Sequence, residues 1–106
     1  MVDGDTQLLP GIELIESGGH VPGHQSVLVR LPHFGNILLA IDTIPQSNLR
    51  DANTRKYTRL DMAPQELAKS TRKLMQLAAA ADVKLVVFGH DREQWTTLRL
   101  SPEYYF

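Results

Sequence analysis

The feature that most constrains the fold of this chain is a nearly unbroken apolar segment, residues 36–41. Such a run is typical of a β-strand that is covered on both of its faces. Residues 26–31 form another apolar segment, and the four residues between the two segments, 32–35 (PHFG), suit a hairpin connection. The two segments therefore predict a β-hairpin inside a layered fold.

Two shorter apolar segments, residues 6–9 and 12–15, precede this hairpin. They are separated by Pro10 and Gly11, which together are a strong turn signal. Four strands in this order predict a β-meander. The sequence that follows, residues 43–60, is polar and predicts a long loop with one helical turn.

An amphipathic helix and a fifth strand are predicted after the loop. Asp61 is the predicted N-cap of the helix, and Pro64 lies in its first turn. The apolar side chains that recur at helical spacing are Leu67, Leu74, Leu77, Ala78 and Ala81. Residues 84–88 (KLVVF) are short and β-branched, which predicts a strand, and residues 92–97 predict a short helix. We therefore expect one α/β domain, residues 1–106, with the helix packed on the sheet.

Composition excludes several classes of protein and site. The formal net charge of -1 argues against a dedicated nucleic-acid or membrane-surface protein, since these carry a basic excess. The chain has no cysteine, so that any metal must be held by histidine and carboxylate side chains. No apolar run is long enough to span a bilayer, and the first residues lack a signal-peptide pattern, which predicts a cytoplasmic location. We interpret the local basic cluster as a solvated surface rather than a phosphate site; it comprises Arg50, Arg55, Lys56 and Arg59.

Side chains that could bind a metal lie at the ends of the predicted strands. His20 and His24 belong to a loop rich in glycine and proline, Asp42 directly follows the strand at 36–41, and His90 follows the strand at 84–88. Ligands placed at strand ends are the arrangement with which a layered sheet builds a site along one edge. The alternative is that these residues bind no metal. An Asp after a strand is often a turn residue, and most histidines at strand ends are ordinary polar residues. His33, in the hairpin turn, is interpreted as a surface residue.

The candidate metal ligands lie in three segments, residues 19–26 (GHVPGHQS), 38–42 (LLAID) and 88–91 (FGHD). Together these segments resemble metallo-β-lactamase-fold hydrolases, and among these they are most similar to the N-acyl homoserine lactonases. Residues 11–15 and 19–26 (GHVPGHQS) resemble the loop that carries the third metal-binding histidine. Residues 38–42 (LLAID) resemble the strand that ends in the metal-bridging aspartate, and residues 88–91 (FGHD) the strand exit with the last ligand histidine. The ending, residues 101–105, also fits the family. The resemblance covers essentially the whole chain.

This resemblance implies a fold and a set of roles. The fold would be half of the αββα sandwich: a β-meander, a helix, a strand and a short C-terminal helix. His20 would be a ligand of one metal, His90 a ligand of the other, and Asp42 the bridge between them, while His24 would support these ligands or face the substrate. The metals would be zinc, with iron, manganese or cobalt also compatible, and a two-metal site would hydrolyse a lactone or related ester.

The sequence departs from the family pattern in three places. Nothing matches the family's His-x-His-x-Asp-His signature, which supplies four ligands from the N-terminal half. Ser17 and Gly18 stand where Thr-Pro is usual, and Pro45 replaces a tyrosine that interacts with the substrate carbonyl.

Because the signature is missing, we expect the chain to be either part of a longer hydrolase, completed by a partner half with that signature, or a truncated gene product. The isolated chain is predicted to bind zinc weakly and to be inactive. The alternative is a non-catalytic remnant that folds as a homodimer and acts as a binding or structural module. Because half of a sandwich would expose a sheet face and an edge, we also expect the isolated chain to form a dimer or higher oligomer.

Overall fold

A computed structural model describes residues 4–58, 61–99, 103, 105 and 106 of the chain. Arg59 and most of the terminal segment used in the resemblance, residues 101–105, lie outside the described residues. The elements in chain order are β1 (Thr6–Leu9), β2 (Ile12–Glu16), β3 (Gln25–Leu31), β4 (Gly35–Ile41), a 3-10 turn (Ser47–Leu49), α1 (Pro64–Ala80), β5 (Val83–Phe88) and α2 (Arg92–Trp95). The predicted order of strands and helices is confirmed, and most bounds agree to within a residue or two.

The five strands form one mixed sheet in the order β1-β2-β3-β4-β5. The first four pair antiparallel with their neighbours, which confirms the meander and the central hairpin. β5 pairs with β4 in parallel, and the long connection between them contains α1. Because the chain crosses over through a helix, the C-terminal ends of β4 and β5 meet at the same edge of the sheet. The predicted α/β class is confirmed.

The hydrophobic core lies between one face of the sheet and α1. Leu28 and Leu38 from the central strands are fully buried against Leu74 of α1, and Phe88 of β5 completes the layer. Leu67 and Leu74 of the predicted apolar stripe are buried, while Leu77, Ala78 and Ala81 pack at its margin. The sequence pattern thus identified the buried stripe of the helix correctly.

The opposite face of the sheet is less well covered. Leu14, Val27, Leu39 and Val87 stand in one row across β2 to β5, because each is the register partner of the next. All four side chains are only half-buried. In this chain α1 covers one face of β4, and the other face is only partly covered along this row, as expected for half of a sandwich.

The start of α1 differs from the prediction. Its N-cap is Ala63, which provides no side-chain cap, and Pro64 is the first helical residue. Asp61 was predicted to cap this helix, and that prediction is wrong because its carboxylate hydrogen-bonds elsewhere. The short helix α2 ends two residues earlier than predicted and is capped by Asp91, which accepts from the N–H of Gln94. Within the described part of the chain, no helix is long and apolar enough to cross a membrane.

Candidate functional site

His20, Asp42 and His90 line one cavity of about 270 Å³ at the edge of the sheet. His20 comes from the loop between β2 and β3, and the other two follow β4 and β5 directly. Parallel neighbouring strands deliver the residues after their C-terminal ends to the same place, which is why loops so far apart in sequence converge. The remaining lining residues are Pro45, Leu49, Arg55, Lys56, Thr58 and Asp61.

The loop that carries His20 rests against the first turns of α1. Gly19 has a φ of +128°, and a Cβ at this position would collide with the backbone of Leu67. The hydroxyl of Ser70 donates a hydrogen bond of 2.7 Å to the carbonyl of Gly18. Glycine is needed at residue 19 because the conformation and the close approach both exclude a side chain.

The His20 side chain pairs with a buried carboxylate. Nδ1 of His20 lies 3.0 Å from Oδ1 of Asp61, and the two side chains are 24% and 8% exposed. The other Asp61 oxygen accepts the N–H of Thr58 at 2.8 Å. Burial alone would raise the pKa of Asp61, but these two hydrogen bonds and the charge of Arg55 outweigh it and hold that pKa below its usual value. Asp61 is therefore ionised at neutral pH.

We call the His20–Asp61 pair the His20 corner of the cavity. The side chains of Asp42 and His90 form the other corner, the His90 corner, which is more exposed to solvent. Nε2 of His90 lies 2.9 Å from Oδ1 of Asp42, with exposures of 72% and 35%. Gly89 packs so closely on the backbone of Ile41 that a Cβ could not fit, and Ile41 itself has a φ of +55°. The N–H of His90 donates to the carbonyl of Pro45 at 2.8 Å. A β-branched residue rarely adopts a positive φ, so the backbone is strained at the exit of β4, next to Asp42.

His24 supports Asp42 from inside the protein. The backbone N–H of Asp42 donates to Nε2 of His24 at 3.2 Å, which requires the proton of a neutral ring to be on Nδ1. Nδ1 faces the hydroxyls of Ser17 at 2.9 Å and Thr43 at 3.1 Å. The Thr43 hydroxyl donates to the carbonyl of Ser17 at 2.8 Å, so that it accepts from His24. The four residues form one directional network.

This network favours one of the two roles predicted for His24. Burial lowers the pKa of His24, to which the neighbouring His20 contributes, although Asp42 and Ser17 act in the opposite sense. His24 is not among the residues that line the cavity, and both of its ring nitrogens face groups of the protein. We therefore interpret it as a support for Asp42 rather than a group that faces the substrate. Ser17 and Thr43, both fully buried, are members that the sequence did not reveal.

Arg55 corrects the interpretation of the basic cluster as a solvated surface. Arg50 and Lys56 are exposed, but Arg55 is only 6% exposed and lines the cavity. Its Nη1 donates to the carbonyl of Thr43 at 2.6 Å and to the hydroxyl of Thr71 at 2.9 Å. Burial lowers the pKa of Arg55, and Tyr57 and Asp61 oppose that shift. The guanidinium thus ties the residue after Asp42 to α1.

The donor atoms around the cavity suit a divalent metal. Imidazole and carboxylate groups are the ligands of zinc in cysteine-free sites. Asp61 occupies Nδ1 of His20, which leaves Nε2 as the nitrogen for a metal, a pattern common around metal-bound histidines. Among the described residues, however, no group of three histidine or acidic side chains is close enough to hold an ion. The assignment of His20, Asp42 and His90 as metal ligands stays a prediction.

The chain is similar in sequence to lactone-hydrolysing enzymes. No protein-family model matches it. An N-acyl homoserine lactonase of Bacillus thuringiensis is 33% identical over 105 residues, which is 98% of this chain and 40% of that protein. The N-acyl homoserine lactonase AttM of Azorhizobium caulinodans is 38% identical over 89 residues, or 84% of this chain and 33% of that protein. The chain thus spans about two fifths of the length of the first of these relatives.

Solved structures agree with the sequence comparison. An N-acyl homoserine lactone hydrolase with N-hexanoyl-L-homoserine bound at its catalytic metal centre has a TM-score of 0.88 and 29% identity, over 98% of this chain and 40% of that one. A probable metal-dependent hydrolase from Staphylococcus aureus shares the fold at a TM-score of 0.68 and 19% identity, over 85% of this chain and 31% of that one. The chain is therefore a homologue of the N-acyl homoserine lactonases that matches part of their sequence and has the fold of that part.

Proposed function

We propose that the chain is the C-terminal half of a lactonase-like metallo-hydrolase, with half of a two-metal site at the sheet edge. The observation that carries this proposal is that His20, Asp42 and His90 come from three separate loops and line one cavity. The similarity to N-acyl homoserine lactonases over 98% of the chain supports it independently.

In this proposal His20 would hold one metal, His90 would hold the other, and Asp42 would be shared between them. The metal is zinc, because its usual ligands match the imidazole and carboxylate donors present. When bound, a metal pair polarises the substrate carbonyl and makes hydroxide available at neutral pH. The chain's own contribution is to place the donors: His24 holds the backbone of Asp42, and the carbonyl of Pro45 holds that of His90.

The partner that completes the site is an N-terminal half with the His-x-His-x-Asp-His signature. This chain would supply two ligands to each metal, His20 and Asp42 to one and His90 and Asp42 to the other. A typical catalytic zinc site has three protein ligands. The half-buried row Leu14, Val27, Leu39 and Val87 is the surface that such a half would cover. Without such a half, we expect the chain to form a dimer or higher oligomer through the same surface.

The proposed substrate is a lactone or a related ester, acted on in the cytoplasm. The relatives are named for N-acyl homoserine lactones, but Pro45 lines the cavity where that resemblance calls for a tyrosine. Proline has no hydroxyl to donate to a substrate carbonyl. The acyl homoserine lactones are therefore the first substrates to test, and simpler lactones and esters the second.

The experiment is complementation. The chain is mixed with, or fused to, the N-terminal segment of the Bacillus thuringiensis relative, and hydrolysis of an N-acyl homoserine lactone is followed. We expect turnover only in the complemented protein, and its loss in His20→Ala, Asp42→Ala and His90→Ala. His33→Ala is the matched control, since this histidine is exposed and does not line the cavity. Turnover that survives all three cavity substitutions contradicts the proposal.

A further inference from the structure

The segment that leads into α1 is fastened to the loop that carries His20. The backbone N–H of Met62 donates to the carbonyl of His20 at 3.1 Å, and that of Ala63 to the carbonyl of Gly19 at 2.7 Å. These two bonds hold Asp61, the preceding residue, beside the His20 ring. The carboxylate bonds to His20 and Thr58, and α1 begins without a side-chain cap.

Both oxygens of Asp61 are engaged. Oδ1 lies 3.0 Å from Nδ1 of His20, and Oδ2 accepts the N–H of Thr58 at 2.8 Å. With its side chain only 8% exposed, Asp61 differs from the acidic partner of the surface pair Arg30–Glu13, whose side chains are 45% and 31% exposed. An acceptor that is buried and held at both ends has little freedom to rotate, so that it fixes the ring that donates to it.

We infer that Asp61 is a positioning residue that keeps the neutral His20 ring protonated on Nδ1 and presents Nε2 to the cavity as a metal ligand. An imidazole that donates one N–H to a carboxylate is fixed in tautomer and orientation, and its other nitrogen becomes a better ligand. The inference about the metal rests on the proposed function. The inference about the tautomer concerns this chain alone.

The tautomer is tested on the metal-free chain by nitrogen-15 NMR of the histidine rings at alkaline pH, where imidazole is neutral. The signals of His20 are assigned by their loss in His20→Gln. We expect the proton on Nδ1, and a shift toward the Nε2-protonated form in Asp61→Ala. Asp61→Asn, which keeps a carbonyl acceptor and the shape of the side chain, should be intermediate. A His20 ring protonated mainly on Nε2, or a tautomer that Asp61→Ala does not change, overturns the inference.

The control variant removes one negative charge from an exposed position away from His20. Asp82→Asn is suitable because the Asp82 side chain is 85% exposed and asparagine tolerates its positive φ of 51°. This variant should leave the His20 ring signals where they are. Equal changes in Asp82→Asn and Asp61→Ala would mean that net charge, and not the local hydrogen bond, controls the ring.

The consequence for the metal is tested in the complemented protein by zinc titration. Loss of a carboxylate that orients a ligand histidine typically weakens metal binding by about 10- to 100-fold. We expect a weakening of that size in Asp61→Ala, a smaller one in Asp61→Asn and none in Asp82→Asn. Unchanged zinc affinity in Asp61→Ala overturns this part of the inference. A complemented protein that binds no metal at all, with the tautomer as expected, contradicts the proposed function and leaves the tautomer inference standing.

Discussion

The two corners of the cavity are built in different ways. The His20 corner is joined to α1 by the Ser70 hydroxyl and to the segment before α1 by two backbone hydrogen bonds, and it contains a carboxylate that is 8% exposed. At the other corner the backbones of Asp42 and His90 are held by His24 and by the carbonyl of Pro45, but their side chains bond to each other and that of His90 is 72% exposed. The side chains of the first corner are largely buried in this chain, whereas the His90 side chain of the second is open to solvent.

The difference predicts which side chains are already positioned by this chain and which would be positioned by a partner. A corner held by buried contacts keeps its geometry without a partner, because each alternative position of the loop leaves polar groups unsatisfied. An exposed ion pair imposes little order, because water competes for both of its members. If the proposed N-terminal half completes the site, we expect it to position the side chains of the His90 corner, whereas the His20 corner should be preformed.

The largest effect should come from the close contact beneath the His20 loop. Gly19→Ala places a methyl group against the backbone of Leu67 at a φ of +128°, and should destabilise the chain by about 3 kcal/mol. Gly23→Ala is the matched control, since Gly23 also has a positive φ but nothing within 4 Å, and should cost about 1 kcal/mol. Urea unfolding measures both free energies. If Gly19→Ala and Gly23→Ala lose the same free energy of unfolding, the positive φ of residue 19 accounts for the whole effect and the contact with α1 contributes nothing.

The buried network behind Asp42 should give the next largest effect. Thr43→Val keeps the shape of the side chain but removes the hydroxyl that bonds the Ser17 carbonyl and His24, and should cost about 1 to 3 kcal/mol. Thr96→Val removes an exposed hydroxyl and should change stability by less than about 0.5 kcal/mol. Thermal unfolding of the two variants gives the comparison. If Thr43→Val unfolds at the same temperature as the unaltered chain, the network does not hold the Asp42 backbone.

The two corners are compared directly by removing one histidine from each. His20→Ala leaves the buried Asp61 without its partner and should cost about 2 kcal/mol. His90→Ala breaks an exposed pair and should cost less than about 1 kcal/mol. Denaturant unfolding of the metal-free chain is the measurement. A His90 variant that is the less stable of the two would reverse our view of which corner is preformed.

The smallest effect is expected at the surface beside the His20 loop. Asp5 accepts from Lys73 of α1 and from the N–H of Glu16, both at 2.8 Å. Burial raises the pKa of Asp5, but these bonds outweigh it and lower the pKa below 3.8. Because the folded pKa is lowered, the stabilisation is present above pH 3.8 and is lost as the pH falls through the lowered value. Asp5→Asn should cost about 0.5 kcal/mol at neutral pH, and the gap to the unaltered chain should close in acid.

Features that depend on local pattern were predictable from the sequence. The apolar run of β4, the turn before β2 and the stripe on α1 each produce a signal within a few neighbouring residues. For that reason the strand order, the hairpin and the core face of the helix could be predicted. The positions of His20, Asp42 and His90 at loop ends could be read in the same way, since each follows a strand or a turn motif.

Features that depend on distant partners were not predictable. Asp61 has the local signature of a helix cap, but its carboxylate is taken by His20, which is 41 residues away in sequence. Arg55 lies in a polar loop, and only the fold brings it under α1 to reach Thr71. Thr43 and Ser17 are small polar residues whose mutual bond spans 26 residues. In each case a tertiary contact decided the role of a side chain whose neighbours gave no sign of it.

The most direct test of the central claim is the zinc affinity and stoichiometry of the purified chain, measured alone and with the N-terminal half of a lactonase. We predict weak binding by the chain alone and tight binding by the complemented protein, because the ligands proposed for this chain are too few to hold the ions without the others. Tight, stoichiometric zinc bound by the chain alone would contradict the account, and so would a complemented protein that binds no more zinc than the chain.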